Sequence, residues 1–408
     1  MGTGPLDGVR VVEISSWMAA PSAGAILADM GADVIKVEPL TGDVVRGMSR
    51  KAKGAPDIDH SFHMDNRGKR SIAVALDRAD GAAVVRQLTD RADVFLCNLL
   101  PHRQERYGLD AATLHSTNRR LVHATLSGYG LVGPDSTRPG FDVTTFFGRA
   151  AITDAMTEPG GVAPMPRPAQ GDHTTGIAMV AAILAGLRVA ERTGEGPVVD
   201  VSLFATAAWT MASDLAPTLI DGRPVTKRDR HHLISPLANR FRCQDDRWLI
   251  LNMPETRWWA PFCKTVERPA WLEDDRFGTV KDRFDNMPAL TDLLDEVFAT
   301  RPMAEWGRIL DEAGLIWGPA SSIDELAADP QAEATGIFPT IEHPDGDFRT
   351  VGAPMRISGA EIRPRGPAPG LGADTATILG DLGYSGDEVA ALAAGGVVGP
   401  GSLGAPSA

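Results

Sequence analysis

VRVVEI at residues 9–14, SAGAILADM at 22–30 and ADVIKV at 32–37 read as strand, helix and strand, with Gly31 ending the helix. The strands are nearly continuous apolar runs, the pattern of a sheet covered on both faces. The same alternation continues outward. SIAVAL at 71–76 reads as a third strand. Residues 80–90 read as a helix with Ala83, Val84 and Leu88 apolar, and 94–97 and 121–126 return as strands. Strands and helices alternating on this spacing predict parallel βαβ units and an α/β fold.

Beyond a Gly- and Pro-punctuated stretch at 128–168, residues 174–192 read as an Ala- and Gly-rich helix and 198–202 as a strand. The texture changes near Pro224. Trp248, Trp258, Trp259, Trp271, Trp306 and Trp317 fall within seventy residues, six of the eight tryptophans of the chain, which predicts a second core. From about Ile337 short strands return, followed by a helix at 390–394 that Ser385-Gly-Asp-Glu388 would cap. The expected organisation is a large domain begun by 1–205, a linker at 206–224, a smaller domain at 225–330, and a return linker with the end of the large domain at 331–408.

The chain of 408 residues carries a formal net charge of −13, which argues against non-specific binding to nucleic acid or anionic lipid. An anionic ligand therefore needs a local basic pocket. Cys97, Cys243 and Cys263 show no metal-ligand spacing and suit a reducing, cytoplasmic setting. The N-terminus lacks a basic segment followed by an apolar one, and no apolar run reaches 18 residues. Neither a signal peptide nor a membrane association is expected.

Gly128-Tyr-Gly130-Leu-Val-Gly133 matches the dinucleotide-binding G-x-G-x-x-G pattern, but Pro134 to Pro139 follows where a helix would have to begin. A nicotinamide oxidoreductase is therefore marginal, and the glycines are expected to shape a loop. Gly171-Asp172-His173-Thr174-Thr175-Gly176 opens the Ala-rich helix. Asp172 is read in two ways, as a helix cap or as a carboxylate nucleophile whose flanking glycines admit a bulky reactant. The run Asn66-Arg67-Gly68-Lys69-Arg70, and a second cluster of Arg46, Arg50, Lys51 and Lys53, are each either solvated charge or phosphate contacts. The nine histidines show no H-E-x-x-H, and no metal site is expected. Neither a G-x-S-x-G elbow nor a P-loop is found, which sets aside serine hydrolases and P-loop enzymes.

Several segments together resemble the family III CoA-transferases, a group that includes formyl-CoA transferase, carnitine CoA-transferase and α-methylacyl-CoA racemase. They are residues 5–13, Gly31-Ala-Asp-Val-Ile-Lys-Val-Glu38, 66–72, Ala92 to Asn98, Ser127-Gly-Tyr-Gly130, Arg138-Pro-Gly-Phe-Asp142, Gly171-Asp172, 371–375 and 379–384. The resemblance covers nearly the whole chain. It implies a Rossmann-like large domain built from both chain ends, a smaller inserted domain and an interlocked homodimer. It also implies that Asp172 is the catalytic nucleophile. The aspartate would attack the donor thioester, forming an acyl anhydride and CoA thiolate, and the thiolate would then give an aspartyl-CoA thioester that an acceptor carboxylate reverses. CoA is the substrate and carrier, and no permanently bound cofactor is implied.

For CoA contacts, the resemblance points to Met18 and Ala19, to Val74, Ala75, Leu76 and Asp77, to Asn98, Leu99 and Leu100, and to Arg106. Phe141 and Asp142 would lie close to the thioester. Met18 replaces a glutamine of formyl-CoA transferase, Pro39 an arginine and Pro139 a lysine, so Lys69, Arg70 or Arg46 is a candidate replacement for the lost phosphate contacts. Phe141 stands where the racemase has a histidine, and a phenyl ring has no group to exchange an α-proton. Acyl-CoA:carboxylate CoA transfer is thus expected ahead of α-proton exchange by a racemase of the same fold, or a non-catalytic acyl-CoA-binding protein. Ser235 to Phe241 replaces the glycine-rich loop of formyl-CoA transferase, so oxalate is not the expected acceptor.

Overall fold

A computed structural model describes residues 3–49 and 58–399. Arg50, Lys51 and Lys53 of the second cationic cluster lie outside the described residues. The chain divides into two compact units, one holding residues 1–154, 165–223 and 333–408 and the other 155–164 and 224–332.

The first unit is built on six parallel strands: β1 (Arg10–Ile14), β2 (Asp33–Glu38), β3 (Arg70–Ala73), β4 (Val94–Cys97), β5 (Val122–Ser127) and β6 (Val198–Ser202). Their order is β3-β2-β1-β4-β5-β6, that of a doubly wound Rossmann-like sheet. Successive apolar side chains of a strand go to opposite faces, which the core shows directly. Val11, Val34, Leu96 and Ala124 pack with α1 (Ala19–Asp29) and with the long helix Gln170–Thr193. Val12, Ile35, Ile72 and Phe95 pack on the other face, which later residues of the chain also cover: Ile378, Leu379, Val397 and Val398.

The remaining helices of this unit up to residue 223 are α2 (His60–Asn66), α3 (Ala79–Thr89), α4 (Pro101–Tyr107), α5 (Ala111–Thr117), α6 (Ile152–Ala155, which ends at the unit boundary), α7 (the Gln170–Thr193 helix), α8 (Leu203–Thr210) and α9 (Ala212–Asp221). The span expected to be a linker, 206–224, is thus mostly helical. Its residues carry few Gly and Pro, and Pro217 is accommodated within α9. Helix α7 has the length and hydropathy of a membrane span, but Met179, Val180, Ile183 and Ala190 are spent on the sheet core. Gly176 lets α7 lie against α1, because a methyl group there would sit 2.1 Å from Ser22 Oγ.

Charge is buried at the carboxyl ends of β1 and β2. The Lys36 ammonium is fully buried, 3.3 Å from Glu13 Oε1 and 2.9 Å from Asp43 Oδ2, and donates to the Ser15 carbonyl (3.0 Å). Lys69, also fully buried, meets Glu13 Oε2 at 2.7 Å. The other cations of that run are likewise engaged: Arg67 with Asp29, and Arg70 with Asp33 and Asp381. Arg46 binds Glu38 through two nitrogens, both at 2.7 Å. The cationic run therefore ties strands to helices and is not held open for phosphate. Arg70→Ala is expected to cost about 1 kcal/mol or less, because its partners are partly solvated. Its KM for acyl-CoA is expected to match that of the parent; a tenfold rise would return Arg70 to the phosphate site.

In the second unit β7 (Arg240–Arg242), β8 (Trp248–Leu251) and β9 (Trp317–Pro319) form an antiparallel sheet in that order. Packed with them are α10 (Trp259–Thr265), α11 (Val280–Asp285), α12 (Met287–Phe298) and α13 (Met303–Glu312). The tryptophan-rich texture is this unit's core: Trp259 stacks on Trp271 at 6.3 Å, and Trp306 packs edge-on to Phe298 while donating its indole N–H to the Phe298 carbonyl.

Candidate active site

In a doubly wound sheet, the crossovers from the two strands at the centre leave on opposite faces and open a crevice at the strands' carboxyl ends. Here those strands are β1 and β4. A cavity of about 870 Å³ opens there, lined by Ile14 to Trp17 after β1 and by Asn98, Leu99 and Leu100 after β4. Asn98 stitches the two strand ends together: it accepts from the Ser16 N–H (3.2 Å) and donates to the Ser16 carbonyl (2.7 Å).

Asp172 lies on the wall of this cavity, in the first turn of α7. Gly171 makes that position possible, since a methyl group on it would come within 2.7–2.9 Å of Phe146 and Asp142. The close approach sets Asp172 beside Asp142, which is buried and caps the π-helical turn Val143–Arg149 by accepting the Val143 N–H (2.6 Å). The second oxygen of Asp142 has no hydrogen-bond partner among the described residues. Burial pushes the Asp172 carboxyl up to about 7; the Asp142 charge adds to this, as does Asp65, while His173 pulls it back. His173 meets the buried Asp65 of α2 at 3.0 Å. Burial depresses the His173 imidazole, but the bond to and charge of Asp65 outweigh it and hold the ring above the ordinary histidine range. A carboxylate so placed is a strong base for its class and is poorly solvated, two properties of a nucleophile toward an activated carbonyl.

Of the residues expected at the site, Ala19, Val74, Ala75, Leu76, Asp77, Asn98, Leu99, Leu100, Arg106, Phe141 and Asp172 are brought together on the cavity wall. Met18 is not. It caps α1 as a partly buried residue, while its neighbour Trp17 reaches the wall in its place. Asp142 is also absent from the wall, being buried behind Phe141. Pro39 and Pro139 do line the cavity, so neither of those two positions supplies a cation. The cations on the wall are Arg103, Arg106 and Arg138, all exposed. Arg103 and Arg106 flank the Tyr107 ring at 6.0 and 5.8 Å and have no carboxylate partner among the described residues. Sequence reasoning missed Arg103, although its spacing of three from Arg106 just inside a Pro-started helix places both on one face.

Among the described residues, one group, His231, Asp292 and Asp295, is close enough to share an ion. The Arg230 guanidinium already takes both oxygens of Asp295 (2.7 and 2.6 Å), so that carboxylate is used by an ion pair. The three cysteines are buried and unpaired. Residues 128–142 form a loop with no helix opening after Gly128, so the glycine pattern there offers no amide cradle for a pyrophosphate.

Comparison with known proteins gives one answer throughout. The family model described as CoA-transferase family III matches residues 6–375. The chain is 30% identical over 388 residues to the (R)-2-hydroxy-4-methylpentanoate CoA-transferase of Clostridioides difficile, covering 94% of this chain and 97% of that protein. It is 32% identical over 389 residues to the succinate–glutarate CoA-transferase of Agrobacterium fabrum, covering 93% and 96%. The crystal structure of a CAIB/BAIF family protein from Brucella suis superposes with a TM-score of 0.82 at 30% identity, covering 94% of this chain and all of that one.

Proposed function

From the premise that the chain belongs to CoA-transferase family III and is an enzyme moving CoA between carboxylic acids, we propose that Asp172 carries the group through two covalent intermediates. The Asp172 carboxylate attacks the thioester carbonyl of the donor, and expulsion of CoA thiolate leaves an acyl-aspartyl anhydride. The thiolate then attacks the aspartyl carbonyl, releasing the donor acid and leaving an aspartyl-CoA thioester. The acceptor carboxylate attacks that thioester, and the returning thiolate takes the new acyl group, which restores Asp172. The covalent route splits one difficult displacement into several easier acyl exchanges. The observation that carries this reading is the placement of Asp172, raised in basicity by burial, on the wall of the cavity at the β1–β4 switch point. None of the described residues lining the cavity is a histidine, and Phe141 offers no proton-exchanging group, which favours transfer over racemisation.

Arg103 and Arg106 serve in this reading as the phosphate contacts, in place of the cations missing at Pro39 and Pro139. Replacing either by Ala is expected to raise KM for acyl-CoA about tenfold, with kcat little changed, as for loss of one charge-assisted hydrogen bond. The N-acetylcysteamine thioester of the same acid, which has no phosphates, is the control. An equal penalty on both donors would place these arginines outside phosphate binding.

The proposal extends to a homodimer and to the second unit as an inserted domain. Trp209, Leu219 and Ile220 on α8 and α9 are each about four-fifths exposed, an apolar surface that supports an interface. The activity itself is tested by mixing acyl-CoA with an isotopically labelled carboxylate. Label is expected in the thioester, with ping-pong kinetics. Hydrolysis to free CoA without label transfer would overturn the proposal.

A further inference from the structure

Trp17 is one of five non-glycine residues among those described whose backbone is left-handed, with φ 68°. That conformation is unfavourable for a residue bearing a bulky side chain. It persists because both flanks are pinned: Asn98 holds Ser16 through two hydrogen bonds, Lys36 holds the Ser15 carbonyl, and the Ser22 N–H holds the Met18 carbonyl at 2.8 Å. The result is an indole on the cavity wall, 39% exposed, edge-on to Phe141 with ring centroids 4.9 Å apart at 82°. Phe141 is 49% exposed and directly precedes Asp142, the neighbour of Asp172. The strained backbone at Trp17 thus sets its indole beside the Phe141 ring, and both line the cavity that holds Asp172.

The charges here are one-sided. Asp142 and Asp65 both act on Asp172, and His173 beside them is already bonded to Asp65. A second carboxylate on the acyl chain would meet like charge beside Asp172, while of the cavity's arginines Arg103 and Arg106 are given to the phosphates in this reading and Arg138 faces Asp135 at 3.6 Å. An apolar body would cover the two rings and shield the anhydride from water. We propose that the acyl group handled at Asp172 is a monocarboxylic acid with an aromatic or branched apolar chain, selected by the Trp17–Phe141 pair. This rests on the reading of Asp172 as the nucleophile.

The test measures kcat/KM for CoA transfer to one acceptor from phenylacetyl-CoA, 4-methylpentanoyl-CoA, acetyl-CoA and succinyl-CoA. The first two are expected to exceed acetyl-CoA at least tenfold and succinyl-CoA at least a hundredfold. Trp17→Val is expected to cut the phenylacetyl-to-acetyl ratio about tenfold. Phe141→Leu, a milder change, is expected to lower the same ratio severalfold, and it keeps the test open should the first variant not fold. Succinyl-CoA as the preferred donor, or a ratio unmoved in a folded variant, would overturn the proposal while leaving Asp172 transfer standing. Failure of all four donors both to transfer and to label Asp172 would count against the nucleophile itself, and the selectivity proposal would fall with it.

Discussion

Asp172→Asn is expected to abolish CoA transfer, with kcat/KM down at least a thousandfold, while the protein still folds and binds CoA. An amide has no anionic oxygen to attack a thioester, so both covalent intermediates are lost together. The parent enzyme carries a matching pH dependence. With the Asp172 carboxyl near 7, the nucleophilic form is lost as pH falls, and kcat/KM for the donor should drop about tenfold per pH unit below that value and level off above it. The same group predicts a stability effect of opposite sense. Its folded pKa is raised above the unfolded one, so the ionised carboxylate weighs against folding. The parent therefore loses stability as pH climbs from about 4 to about 7, and the full penalty holds above that. At about 1.4 kcal/mol per pH unit the upper limit is about 4 kcal/mol, reduced by whatever solvent reaches the carboxylate. Asp172→Asn should consequently melt several degrees higher than the parent at pH 8, with the difference closing toward pH 4. Thermal melts at both pH values check this, and a variant less stable at pH 8 would contradict the electrostatic account of the site.

Lys36→Met is expected to lower the unfolding free energy by about 3–5 kcal/mol, as when one partner of a buried ion pair is removed. Among the described residues Asp43 pairs with Lys36 alone, so the change strands it, and it leaves Glu13 only Lys69. Burial pulls the Lys36 ammonium down, yet Glu13, Asp43 and Glu38 outweigh it and hold the group above the usual lysine range. Adding Asp43→Leu removes the stranded carboxylate and should recover part of the loss. Because Lys36 also holds the Ser15 carbonyl, the single variant should lose activity at temperatures where it remains folded. Denaturant titration with an unchanged slope measures the stability term; a loss below about 1 kcal/mol would show that the charges are solvated rather than buried.

The parallel sheet was legible because its information is local. Strands of the β1–β2 type are apolar runs, and Gly31 marks the end of α1 wherever the chain goes next. What escaped depends on partners distant in sequence. The cations Lys69 and Arg70 read equally as phosphate contacts, since nothing near them reveals Glu13 or, 311 residues away, Asp381. Helix α2 was missed because HSFHMDN has no apolar period, and with it went Asp65, the partner of His173. Resemblance led to Met18, but a single left-handed residue put Trp17 on the wall in its place, and backbone handedness at a non-glycine residue leaves no mark in composition or spacing. On spacing alone Asp172 was divided between helix cap and nucleophile, and only the family resemblance favoured the nucleophile.

The central claim is covalent transfer through Asp172, and mass spectrometry of the protein after incubation with acyl-CoA addresses it directly. Quenched with hydroxylamine, the parent should yield a hydroxamate on the peptide bearing Asp172 and on no other, and Asp172→Asn should yield none. A hydroxamate at a different carboxylate, or label transfer between acids that leaves Asp172 unmodified throughout, would contradict the account.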